Sequence, residues 1–166
     1  MAALGSAATA QDCLDVAAAI LRALPEAEVL ILGAWDAASA LASTRKGIRC
    51  LWISEPQRLI DSVLKSDLAV CSGSQALLEM ACLGIPAITM LTADNQKANI
   101  AGFRKAGYSI DAGPLASPER TSLLRTAIEA LMPAGERQQR SLLGRELVDG
   151  QGALRIVRLL AEMDRT

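Results

Sequence analysis

A chain of 166 residues with 51% apolar and 21% charged residues has the size and balance of one globular domain, which excludes a disordered segment. A formal net charge of −1 with no run of like charge excludes the basic footprint of a nucleic-acid binder. No apolar stretch reaches the about eighteen residues of a membrane span, and the first ten residues lack the basic start and apolar core of a signal peptide, so a soluble, cytoplasmic protein is expected.

Met1–Leu4 reads as a short strand ended by Gly5-Ser6. Thr9 and Asp12 have capping-box spacing and open a helix on which Leu14, Ala17, Ala18, Leu21 and Leu24 share a face, ended by Pro25. Glu28–Gly33 is a nearly continuous apolar run, as in a parallel strand buried on both faces. An Ala-rich helix is predicted over Asp36–Ser43 and a strand over Ile48–Ile53. Ser54 and Gln57, with Pro56 just inside, open a helix through Lys65 that turns Leu59, Ile60, Val63 and Leu64 inward. Asp67–Cys71 reads as a strand, Gln75–Leu83 as a helix closed by Gly84, and Pro86–Leu91 as a strand. Asp94 or Asn95 caps a helix ending at Gly107, and Tyr108–Asp111 is a last strand. From Ser117 the pattern is helical only: Ser117–Leu131, Gly135–Val148 and Gly152–Met163.

Alternating strands and helices with short connections predict an α/β fold, a Rossmann-like doubly wound parallel sheet. The whole chain, 1–166, reads as one domain whose residues 116–166 are closing helices. The Arg-rich end interleaves acids with its arginines, as solvated helix faces do. A four-residue first strand beginning at Met1 is short for the leading strand of such a sheet, and a further domain upstream is expected.

Such sheets bind ligands beyond the carboxyl ends of their strands. The richest loop there is Ser72-Gly73-Ser74-Gln75. Gly73 permits close backbone approach, the hydroxyls donate, and free N–H groups at a helix start favour an anion such as a diphosphate. An ordinary strand-to-helix turn with a serine cap has the same residues, and the turn alone favours that reading. Glu79 lies one turn along from Gln75, with Leu78, Ala81 and Cys82 as the buried stripe. Its carboxylate suits a ribose diol, and a solvated helix glutamate fits equally well. Asn95 and Gln96 open the next helix, and Gln96, not needed for capping, would project toward the crevice, where sugar hydroxyls call for amides. Gly5 and Ser6 are a weaker candidate for the diphosphate. Trp52 and Ile53 would supply the wall or backbone edge beside a base, although Trp52 reads first as a core or interface residue.

Cys13, Cys50, Cys71 and Cys82 form no C-x-x-C pair and read as structural thiols in a reducing compartment. The absence of histidine removes the commonest metal ligand and general base. No metal site is expected, and a catalytic histidine would have to come from another domain.

The run DLAVCSGSQALLEMACLGIPAITMLTADNQ resembles the UDP-sugar hydrolases of pseudaminic acid biosynthesis (PseG) and their spore-coat polysaccharide relatives (SpsG-like). The closing VDGQGALRIVRLL is similar to the final helix of the same family. The architecture is similar to the C-terminal domain of the MurG glycosyltransferase, in which a Ser-Gly turn precedes a helix glutamate at the spacing of Ser72 and Glu79. The resemblance covers most of the chain from about Glu28. It implies the C-terminal half of a GT-B fold, with two Rossmann-like domains clamping a UDP-sugar without metal or cofactor. It further implies Glu79 on the ribose, Ser72–Gln75 on the diphosphate, backbone near Ile53–Pro56 on the uracil, and Asn95, Gln96 and Asn99 toward the sugar. The hydrolase's water-activating histidine would lie on the N-terminal domain. This chain departs from the pattern at Gly5-Ser6-Ala7-Ala8, where the family has Gly-Gly-Ser-Asp. It departs again where Gln75-Ala76-Leu77-Leu78 replaces Thr-Thr-Trp ahead of the glutamate.

Three functions follow: a UDP-sugar hydrolase in surface polysaccharide or nonulosonic acid synthesis, the donor-binding domain of a GT-B glycosyltransferase, and a non-catalytic nucleotide-sugar-binding module. A histidine-bearing upstream domain would favour an enzyme over the module.

Overall fold

The computed structural model describes residues 1–32, 46–51 and 56–163. In chain order they form β1 (Ala2–Ala3), α1 (Ala10–Ala23), β2 (Val29–Leu32), β3 (Ile48–Leu51), α2 (Pro56–Val63), β4 (Ala69–Ser72) and α3 (Gln75–Leu83). There follow β5 (Ala87–Leu91), a 3-10 turn (Asp94–Gln96), α4 (Lys97–Lys105), β6 (Ser109–Pro114), α5 (Arg120–Ala130), α6 (Ala134–Leu147) and α7 (Gly152–Met163). The predicted helix over Asp36–Ser43, the end of the strand at Trp52 and Ile53, and the cap at Ser54 lie outside the described residues.

Every strand pairing is parallel, and the order is β3-β2-β1-β4-β5-β6. This is the Rossmann-like, doubly wound order. Ala2 is registered with Ile31 on one side and Val70 on the other, and Ala3 with Cys71. The chain runs outward from β1 through β2 and β3, then returns to lay β4 against the other side of β1. That reversal is the switch point where such sheets open a crevice.

Strand side chains alternate between two cores. Ala2, Leu4, Val70, Ile88 and Met90 face α1 and α5. Met1, Ala3, Ala69, Cys71 and Ala87 face α2, α3 and α6. A sheet covered on both faces explains why its strands read as continuous apolar runs.

The capping box of α1 is complete: the Asp12 N–H donates to Thr9 Oγ1, and the Thr9 N–H to the Asp12 carboxylate. The buried face of α1 is Cys13, Leu14, Val16, Ala17, Ala19 and Ile20, with Ala18, Leu21 and Leu24 only half-buried. It is rotated from the predicted stripe because α1 is wedged between the sheet and α5. Arg120 of α5 bridges to Asp15 at 2.6 Å and to Asp12 at 3.5 Å, pinning these helices together. On α2 only Val63 of the predicted residues with described side chains is inward; Ile60 and Leu64 are exposed.

The closing helices have different roles. α6 packs on α3, with Gly144 against the Tyr108 ring and the Ala81 carbonyl, while Arg140 donates to the carbonyls of Gly107 and Tyr108. α7 buries nothing: Leu154, Ile156, Val157, Leu159, Leu160 and Met163 are all exposed. Among the described residues no helix is long and apolar enough to cross a membrane.

Candidate functional site

Three loops meet beyond the carboxyl ends of the central strands. Gly5 follows β1 with φ +75°, a left-handed conformation that glycine adopts without strain. A methyl at its Cα would come within 3.3 Å of Ser72 Oγ and 3.8 Å of Ser74 Oγ. The Gly5 turn and the Ser72-Gly73-Ser74 turn are therefore adjacent, across the β1/β4 switch point. Sequence reasoning rates Gly5 and Ser6 as a weak candidate; the strand order makes Gly5 a neighbour of the strongest one.

Within the serine turn the two hydroxyls have different settings. Ser72 is fully buried at the end of β4, and Ser74 is half-buried at the N-cap position of α3. Their oxygens are 2.7 Å apart and share a hydrogen bond. Ser74 thus occupies the expected cap position without capping: α3 begins with no side-chain cap hydrogen bond, leaving its first N–H groups to another acceptor. Gly73 is approached closely, as expected, but by the protein itself. A Cβ there would sit 2.5 Å from Ile100 Cγ1 and 3.1 Å from Gln96 Cβ.

Along α3, Gln75 and Glu79 are both exposed and stand one turn apart. The buried stripe is Leu77, Met80 and Ala81 rather than Leu78, Ala81 and Cys82; Leu78 and Cys82 are half-buried. Gly84 closes the helix at φ +73°. That left-handed conformation favours glycine, and a Cβ on it would also displace the Arg145 side chain of α6.

The third loop corrects the predicted caps. Neither Asp94 nor Asn95 is the cap: Ala93 holds the N-cap position of the 3-10 turn and Gln96 that of α4, and Asp94 pairs with Lys97 at 2.8 Å. Asn95 is exposed. Gln96 is buried and folds back: its Oε1 accepts from the Thr92 N–H at 3.3 Å and the Thr92 hydroxyl at 3.1 Å. It closes the turn that launches α4 instead of projecting its oxygen into the crevice. Asn99 donates from Nδ2 to the Gly73 carbonyl at 3.0 Å. Thr92 and Ile100, which carried no signal as ligand residues, prove to be the supports of this loop. The pairing of Thr92 with an amide four residues on is the signal that was available.

Ile53, expected beside the base, lies outside the described residues, as does Trp52. Cys71 on β4 is fully buried, and burial pushes its thiol up to about 12, so it is no nucleophile. Cys13 and Cys71 are buried and Cys82 half-buried, and none of the three is in a disulfide. Among the described residues no three acidic, cysteine or histidine side chains gather as a metal site would need. The neighbouring strand pair carries a register shift where β6 spends one residue more than β5, at Gly113 with φ +75°. Such bulges redirect the rim of a sheet.

No family model matches the sequence, and no curated protein matches it. Solved structures do. The chain is similar to the glycotransferase of kitacinnamycin, with 23% identity and a TM-score of 0.71 over 97% of this chain and 42% of that one. It is similar to MurG of Acinetobacter baumannii, with 17% identity and a TM-score of 0.69 over 97% of this chain and 49% of that one. The spinosyn rhamnosyltransferase SpnG complexed with thymidine diphosphate gives 18% identity and a TM-score of 0.68 over 87% of this chain and 40% of that one. The Rossmann-like fold is thus the one found in GT-B glycosyltransferases, and the chain spans half or less of the length of each.

Proposed function

We propose that this domain binds the nucleoside diphosphate of a sugar nucleotide as the donor-binding domain of a GT-B glycosyltransferase. One observation carries the reading. Gly5 and Ser72–Ser74 converge at the switch point, beside a helix whose first N–H groups have no side-chain cap and whose exposed Glu79 stands one turn further on. The diphosphate lies over the turn and the start of α3, where backbone N–H groups and the helix dipole meet its charge. Glu79 accepts the ribose hydroxyls, and Gln75 and Ser6 flank the phosphates. Asn95 faces the sugar. A second Rossmann-like domain, part of the same chain or a separate one, closes the crevice and supplies the acceptor and any general base; the greater length of the similar structures supports this.

The UDP-sugar hydrolase remains a second reading on the strength of the run from Asp67 to Gln96. Both need the same donor half, and both place the attacking group elsewhere.

Calorimetry of the chain with UDP, TDP and CMP, without added Mg²⁺, tests the shared site. A nucleoside diphosphate is expected to bind, and Glu79→Ala to weaken it about 10- to 100-fold, the worth of charged hydrogen bonds. No binding by any nucleotide, or an unaffected variant, sinks the site. Supplying the second domain and an acceptor then separates transfer from release of free sugar.

A further inference from the structure

We propose that Asn99 is a positioning residue, which sets the Ser72-Gly73-Ser74 turn for the diphosphate from the neighbouring helix rather than touching the sugar. The inference rests on the nucleotide-sugar reading above.

The argument begins with one peptide unit. The Gly73 carbonyl and the Ser74 N–H belong to the same planar, trans peptide, since the described chain contains no cis bond. They point in opposite directions. Asn99 Nδ2 holds the Gly73 oxygen toward α4 at 3.0 Å. The Ser74 N–H is therefore aimed away from α4, the first of the donors at the start of α3. A βα turn rich in serine and glycine has several conformations of similar energy, and here one hydrogen bond selects among them.

The helix carrying Asn99 is itself held at two points. Gln96 ties the turn before α4 to Thr92 by two hydrogen bonds. Ile100, buried and next in sequence to Asn99, fills the space that a side chain at position 73 would take. Gly73 is thus gripped by Ile100 against its Cα and by Asn99 on its carbonyl. Because Thr92 N–H can only donate, the Gln96 oxygen is fixed on Thr92; because Gly73 O can only accept, the Asn99 nitrogen is fixed on Gly73. Both amides are committed to holding the loop.

The experiment titrates the chain with UDP, inorganic pyrophosphate, uridine and UDP-N-acetylglucosamine. Asn99→Ala is expected to weaken UDP and pyrophosphate about tenfold, one charge-assisted donor misaligned. Uridine should be unaffected, and the sugar nucleotide should lose no more than UDP does. Asn99→Asp gives a readout that a purely structural role would not move. Its introduced carboxylate repels the Gly73 carbonyl near neutral pH and donates to it once protonated, so affinity relative to the parent chain should recover as the pH falls toward about 4. Equal losses for uridine and UDP, a loss confined to the sugar nucleotide, or no recovery of Asn99→Asp at low pH would each overturn the proposal. Failure of the parent chain to bind either UDP or pyrophosphate overturns the nucleotide-sugar reading itself, and this inference with it.

Discussion

Ser72 and Ser74 share a hydrogen bond of 2.7 Å between hydroxyls of unequal exposure, the first fully buried and the second half-buried. The consequences of removing each are unequal too, in the direction opposite to burial. Ser72→Ala replaces the buried hydroxyl by a methyl in an apolar strand and leaves Ser74 within reach of water, at a cost of about 0.5–1.5 kcal/mol. Ser74→Ala strands the Ser72 hydroxyl inside the protein, at about 1–3 kcal/mol. Denaturant unfolding of the two variants should rank Ser74→Ala as the less stable. The reverse order would mean that the Ser72 hydroxyl has another partner.

Gly73→Ala tests how tightly α4 closes on the turn. The new methyl would lie 2.5 Å from Ile100 Cγ1 and 2.9 Å from its Cδ1, so helix or turn must shift, at about 1–3 kcal/mol. Ile100→Ala alone opens a cavity and costs about 2–4 kcal/mol. Combined, the two substitutions should cost less than their sum by about 1 kcal/mol or more, because the second removes the clash made by the first. Strict additivity in a double-mutant cycle would show that the two residues are not in contact.

Tyr108 supplies a third test, remote from the ligand loops. Its ring is fully buried, stands edge-on to Phe103 with centroids 5.7 Å apart, and its hydroxyl donates to the Ile85 carbonyl at 2.5 Å. Burial raises its phenol far above the ordinary tyrosine value, so it stays a neutral donor. Tyr108→Phe leaves that carbonyl unpaired and should cost about 1–3 kcal/mol. Gly144→Ala should also destabilise, since its Cβ would meet Tyr108 Cε2 at 2.6 Å. If thermal unfolding of Tyr108→Phe matches the parent chain, the Ile85 carbonyl has found a substitute donor.

The fold was legible where local chemistry decides. The Thr9–Asp12 spacing named the start of α1, Gly84 named the end of α3, and the apolar runs named strands buried on both faces. The bounds of α7 follow from its own periodicity. Side-chain direction was less legible where partners lie far along the chain. α3 is apolar nearly all round, so no period could separate Leu77 from Leu78; the choice falls to α6, which docks Gly144 and Arg145 against the end of α3 from sixty residues away. Ser72, Gly73, Ser74, Gln75 and Glu79 could be picked out from their order on a strand, turn and helix. The adjacency of Gly5 to Ser72 and the bond from Asn99 to Gly73 depend on strand order and helix docking, which no local spacing encodes.

The start of α7 carries a pH signature. Arg155 donates to both oxygens of Asp149, at 2.7 and 3.0 Å, and the Gln151 N–H donates to one of them at 2.9 Å. These bonds, Arg155 first, hold the Asp149 carboxyl down at about 2, below its usual 3.8. A carboxyl depressed in the folded state contributes stability that is present above the unfolded value and lost as pH falls through the folded one. The window is therefore about pH 4 down to 2, where α7 should fray from its first turn. The pair is exposed, so salt screens it and the contribution stays small. A carbon-detected NMR titration of the Asp149 carboxyl should show a midpoint near 2 at low ionic strength. The midpoint should rise toward 3.8 in Arg155→Ala and, in part, at high salt. A parent-chain midpoint at the ordinary aspartate value would show that the Asp149–Arg155 bonds do not persist in solution.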